Sequence, residues 1–116
     1  MIGYITLGSN DIEKSAAFYD ALLAELGASR FMEMESFIAW ATNPKLPGLS
    51  ITKPFDGNAA TVGNGAMVAL VVDSTDKVDS IYAKAIELAA IDEGGPGPRG
   101  DSGFYAGYFR DLDGNK

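Results

Sequence analysis

The side chains able to act chemically in this chain are hydroxyls, carboxylates and guanidiniums, because its 116 residues include no histidine and no cysteine. Histidine is the usual proton carrier near neutral pH and the commonest metal ligand. Without either residue there is no thiolate nucleophile, no serine–histidine–aspartate triad, no structural zinc site and no disulfide. Any metal would need an all-oxygen site, which suits magnesium, manganese or calcium. Arg99 and Arg110 have the fork geometry that pairs with a carboxylate or phosphate. Tyr105 and Tyr108 stand on the same stretch as Arg110, where the inward side cannot be assigned from spacing. Trp40, between two alanines, supplies either a stacking face or a core ring.

Other candidates resolve to simpler readings. Glu33 and Glu35 alternate onto one strand face, as a catalytic carboxylate pair would, but they read as exposed edge charges. Asp111-Leu-Asp-Gly-Asn115 is similar to the opening of a calcium loop. Its Gly114 falls too early and the required later glutamate is missing, so a turn is expected. Gly94 to Gly100 is glycine-rich but lacks the Lys-Ser/Thr of a phosphate loop, and reads as a flap over a pocket mouth. The Arg99-Gly100-Asp101 tripeptide is read as chance.

Composition bounds the partners. The net charge is −7, with a pI near 4.3. That sign argues against nucleic acid, whose phosphates need clustered Lys and Arg, and against anionic membrane surfaces. The length and the 47% hydrophobic content fit one domain with one core. No stretch approaches the roughly 20 apolar residues of a spanning helix, and Met1 to Tyr4 lacks the basic opening of a secretory leader. A cytoplasmic protein is the expectation.

The elements that must position these residues follow from periodicity. Ile2 to Leu7 alternates as a strand, with Tyr4 and Thr6 on one face. Ser9 or Asn10 caps a helix from about Asp11 to Leu26, ended by Gly27. Ser29–Met34, Phe37–Thr42 and Leu49–Lys53 read as strands, and residues 54–65 as a loop. Met67 to Val72 reads as a buried strand with Met67 and Ala69 on one face. Ser74 or Thr75 caps a second helix, about Thr75–Ala90. Residues 94–103 read as a loop, Phe104–Arg110 as a strand, and Asp113-Gly114 as a turn. The order is βαβββ, then βαβ and a turn. A shift of 65 residues lays Asp11 on Asp76, Leu23 on Leu88 and Leu7 on Val72. This suggests a repeat of two modules, about 1–53 and 66–116, within a single domain. The second module's final strand is not visible, and a turn without a following strand leaves its neighbour unpaired.

Tyr4-Ile-Thr-Leu-Gly-Ser-Asn-Asp11, Ser15-Ala-Ala-Phe-Tyr19 and Arg110-Asp-Leu-Asp-Gly-Asn115, in this order, resemble the vicinal oxygen chelate superfamily. That group includes glyoxalase I, bleomycin-resistance proteins, fosfomycin-resistance proteins and extradiol dioxygenases. Thr61 to Gly65, Asp92 to Arg99 and Gly103 to Tyr108 are most similar to small glyoxalase-like members of unknown substrate. The resemblance implies an α+β fold of paired βαβββ modules forming a half-open, curved mixed sheet, usually in a homodimer. It also implies metal-ligand positions at Tyr4, at Met67 and near Ser50, and a further carboxylate on a strand after Lys116. Tyr4 and Met67 stand where histidines are usual, and a neutral phenol and a thioether are poor ligands for hard ions. The expected function is a small-molecule site in the cup of the sheet, with no metal and no cofactor. Tyr4, Thr6, Trp40, Ser50, Met67, Ala69, Arg99, Tyr105, Tyr108 and Arg110 would line it. Tyr4 and Met67 would either line this cup or plug it. The alternatives are a glyoxalase-type lyase with an oxygen-only metal site, and an interaction module with a filled cup. No catalytic residue is singled out.

Overall fold

In the computed structural model, which describes residues 1–116, the chain runs β1 (Tyr4–Gly8), α1 (Ile12–Ala24), β2 (Ser29–Met34), β3 (Phe37–Ala41), β4 (Gly48–Thr52), α2 (Thr75–Glu87), β5 (Ile91–Pro98) and β6 (Tyr105–Arg110). The architecture is α+β with mixed strand pairing. The first four strands form one sheet in the order β1-β4-β3-β2, and β5 and β6 form a separate antiparallel pair. Parallel pairing of β1 with β4 runs from Tyr4↔Gly48 to Gly8↔Thr52. β4 is antiparallel to β3, and β3 to β2.

Helix α1 forms where an apolar stripe follows a capping acid. Asp11 is its N-cap, with the carboxylate accepting from Lys14 N–H at 3.1 Å. The expected caps do other work: Ser9 Oγ accepts from Asp11 N–H, and Asn10 exchanges two hydrogen bonds with Ala60. The helix ends before Leu26, and Gly27, at φ +74°, takes the left-handed position that lets Ala28 N–H reach Leu23 C=O. Helix α2 is capped by Ser74 and ends at Glu87, short of Ala90, because Ala89 turns left-handed at φ +71°.

The core is the seam between α1 and one sheet face. Ala16, Phe18, Tyr19, Leu22 and Leu23 of α1 meet Ile38, Trp40, Leu49 and Ile51 of the sheet, and α2 adds Ile81 and Ala85. A fully buried Leu, Ile or Phe contributes roughly 1.5–3 kcal/mol, so this seam holds the first half together. Alternation then sends Tyr4, Thr6, Phe37, Ala39 and Ser50 to the helix-free face.

Two expectations need correction. Residues 67–72 make no strand ladder: they are extended, with Val68, Leu70 and Val72 half-buried and Met67, Ala69 and Val71 exposed. The alternation is that of a strand, but no neighbour pairs with it. Conversely, residues 94–98, expected in a loop or flap, belong to β5. Its Gly and Pro residues hide a strand whose register shifts twice against β6, between Asp92 and Gly94 and between Gly94 and Gly97. Proline and glycine are accommodated at such bulges and on edge strands.

Candidate functional site

Tyrosine hydroxyls separate structural from available groups. Tyr19 donates to Asp111, Tyr82 to Asp92 and Tyr105 to Asp79, each at 2.7 Å. Each of these three phenols is thereby held above the ordinary tyrosine pKa. Burial is the main cause for Tyr19, and the hydrogen bond to the carboxylate for Tyr82 and Tyr105. Tyr4 and Tyr108 differ, because neither hydroxyl has a partner within the molecule. Both lie on sheet faces turned away from the helices.

On the first sheet, the Tyr4 ring is 64% exposed and meets Phe37 edge to face at 6.5 Å. In the register these rings bracket Ala39 and Ser50, which are buried. Thr6 and Ser50 share a 2.8 Å hydroxyl hydrogen bond, and Ser50 Oγ is 3.0 Å from Ile5 C=O. The face therefore has a floor of small side chains, one exposed hydroxyl at Thr6, and aromatic walls.

On the second sheet, strand parity is now settled. Tyr105 reaches Asp79 of α2 and Phe109 packs on Phe18, so these residues face the helices. Tyr108 and Arg110 point to the other side. Arg99 and Lys116 both stack on the Tyr108 ring, at 5.2 and 5.3 Å. The cations here are already engaged. Arg110 donates to Glu93 at 2.5 Å and to Gly114 C=O, and Arg99 donates to Gly95 C=O. The Arg110 guanidinium holds the Glu93 carboxyl below its usual range.

The structure thus groups Tyr4, Thr6 and Ser50 on one face, and Arg99, Tyr108 and Arg110 on another. Met67 and Ala69 lie on the exposed side of segment 67–72. Trp40 belongs to neither set. Only 1% exposed, it sits in the helix-side core with its indole N–H on Asp20 Oδ1 at 2.8 Å. Arg30 completes that contact with a paired guanidinium–carboxylate bond, which lowers the Asp20 pKa. The residue that sequence reasoning missed is Phe37, whose place against Tyr4 depends on the β1/β4/β3 register.

The family model for the glyoxalase/bleomycin resistance protein/dioxygenase superfamily matches residues 1–116. The chain belongs to this superfamily. A glyoxalase/bleomycin resistance protein from Albidiferax ferrireducens T118 is 34% identical, with TM-score 0.89, over 99% of this chain and 93% of that one. A glyoxalase-related enzyme from Fulvimarina pelagi is 21% identical, with TM-score 0.77, over 99% and 83%. A fosfomycin resistance protein from Listeria monocytogenes, solved with Mn(II) and 1S,2S-dihydroxypropylphosphonic acid, is 17% identical, with TM-score 0.74, over 99% and 86%. These last two show the shared fold. No curated protein matches the chain.

The metal that the sequence resemblance implies would need charged oxygen donors with free lone pairs. No three carboxylates gather anywhere in the chain. At the helix-free face the oxygens are neutral hydroxyls, and two of them are spent on each other. Such a set supplies neither the charge nor the free lone pairs that a divalent ion needs. These residues do not fit a metal site.

Proposed function

We propose that this superfamily member binds a small, partly apolar molecule on the helix-free face around Tyr4, without a metal ion, and works as a homodimer. The observation that carries the reading is the contrast among tyrosines: Tyr4 keeps an unpartnered hydroxyl on a ring held against Phe37, beside the exposed Thr6 hydroxyl. A rigid aromatic wall with one oriented donor over small side chains is the composition of a small-ligand site. Arg99, Tyr108 and Arg110 supply cationic and aromatic character on the second face, whereas Met67 lines a separate apolar groove between residues 67–72 and β6. The engaged state of both arginines favours a mainly apolar ligand over an anion-first one. Dimerisation is supported by the unpaired sheet edges and by the exposed apolar side chains Phe31, Met32 and Met34. A cytoplasmic location is proposed with it.

The test is a thermal-shift screen of cationic antibiotics, glutathione conjugates and small carboxylates, run with and without chelator. A hit should be indifferent to chelator. Tyr4→Phe should weaken it by about 0.5–1.5 kcal/mol, the value of one hydrogen bond. Met67→Trp, in the groove between residues 67–72 and β6, should leave it unchanged, and a hit lost in that variant would move the site there. A hit lost on chelation would favour a lyase with an oxygen-only metal site instead.

A further inference from the structure

Asparagine is among the thermolabile side chains, and the chain holds five: Asn10, Asn43, Asn58, Asn64 and Asn115. Four are occupied. Asn10 exchanges two hydrogen bonds with Ala60, and Asn43 accepts from Lys45 N–H. Asn58 donates to Asp56, and Asn115 donates to Gly8 C=O and to Asp111. Asn64 is the exception: its exposed carboxamide has no hydrogen-bond partner within the molecule. It is also the one asparagine followed by glycine. The two stand in the turn Gly63–Ala66, closed by Ala66 N–H on Gly63 C=O at 3.1 Å, with Gly65 at φ +92°. That bond uses neither the Asn64 side chain nor Gly65 N–H, which is unpaired as well. A Cβ placed at Gly65 would meet nothing within 4 Å, so no neighbour crowds the pair.

A free carboxamide beside a free glycine N–H is the pair needed for ring closure on the main chain. The comparable steps elsewhere are restrained. Asn43 precedes Pro44, which has no N–H. Asp11 N–H, after Asn10, is held by Ser9 Oγ. In Asp56-Gly57 and Asp113-Gly114, whose carboxyls can close the same ring, the glycine N–H is bound, to Pro54 C=O and to Asp111 C=O. We propose that Asn64-Gly65 is a spontaneous modification site, at which the folded protein converts the Asn64 carboxamide to a carboxylate. Gly65 N bonds to Asn64 Cγ, the Cγ–Nδ2 bond breaks, and ammonia leaves with the proton from Gly65 N. Water then opens the cyclic imide. Cleavage at Cγ gives aspartate, and cleavage at the Asn64 main-chain carbonyl gives isoaspartate. Water is the only co-reactant, and nothing is oxidised or reduced. Either product adds one negative charge to the net −7 of the chain. Isoaspartate also lengthens the main chain by one methylene inside the turn, just before segment 67–72. The proposal is independent of the ligand reading, which concerns the Tyr4 face.

The experiment holds the 116-residue protein for days in warm, mildly alkaline buffer, beside a peptide of residues 61–67 and the Asn64→Gln variant. The longer glutamine side chain closes such a ring poorly. Peptide mapping by mass spectrometry reads the gain of one mass unit at each site, and anion exchange reads the added charge. Asn64 should carry nearly all of the product, as a mixture of aspartate and isoaspartate. Its rate in the folded protein should lie within roughly ten-fold of the peptide's, because no hydrogen bond has to open first. Asn64→Gln should keep its mass and charge. Product mainly at another asparagine would overturn the proposal. So would a folded-protein rate at Asn64 further below the peptide's than that, which would mean that the turn shields the step.

Discussion

In the first half of the chain, four strands join in one sheet under α1. In the second, two strands pair, and only Ile81 and Ala85 enter the eleven-residue buried cluster. The two halves have similar raw material. Segment 67–72 alternates as β1 does, and α2 carries a clean apolar stripe. What differs is the neighbour. β1 is a strand because β4 accepts its hydrogen bonds; 67–72 has the pattern without the partner. Strand formation is a property of the pair, more than of the residues.

The largest expected effects should divide along this line. Phe18→Ala, in the first half's seam, should cost about 3–5 kcal/mol, because Phe18 is 2% exposed. Val78→Ala, on the half-buried face of α2 beside the groove, should cost about 1 kcal/mol or less. Urea denaturation midpoints at unchanged slope measure both, and equal losses would break the comparison.

Next is the link that spans the halves. Asp111 is 2% exposed and accepts from Tyr19 of α1, from the backbone of Asp113 and Asn115, and from the Asn115 side chain. Asp111→Ala strands these donors and should cost on the order of 3 kcal/mol. It should also raise exchange at the turn 111–115 before the first sheet loosens.

Asp20 tests the first half through acid. Arg30 holds its carboxyl below the usual range, so the folded state binds a proton less readily than the unfolded one. The stability Asp20 contributes is full above the ordinary carboxylate range and is lost as pH falls below about 4. Asp20→Asn should flatten the acid limb of a melting-temperature profile. If the limb is unchanged, other carboxylates such as Glu93 and Asp92, also lowered, carry it.

Much of the fold was legible from short-range pattern. The α1 stripe, the Gly27 stop and the Ser74 cap are local signals, and each acts within one turn. The Asp111–Asn115 segment was legible as a turn, and its lack of a calcium ligand set was countable. The Tyr105/Tyr108 parity was not, because it depends on which side α2 covers β6. Residues 94–98 hid their strand because bulges break the period of two. Trp40 was open between stacking and core, and Asp20, twenty residues away, settles its indole N–H in the core. Phe37 escaped notice because its contact with Tyr4 exists only across three strands in register.

The smallest effect concerns a helix end. Ala89 occupies a left-handed position that glycine fills without strain. Ala89→Gly should therefore gain about 0.5–1 kcal/mol, a melting shift of a few degrees. A loss instead would mean that the α2 end is held by something other than this cap.

The central claim is that the helix-free face, and not the apolar groove between residues 67–72 and β6, receives the ligand, and does so without metal. Amide chemical-shift mapping of a screening hit, in the presence of chelator, tests it directly. The account predicts perturbations centred on Tyr4, Thr6, Phe37 and Ser50, with Val78 and Ile81 unmoved. Shifts confined to Val78, Ile81 and β6, or binding that vanishes with chelator, would contradict it.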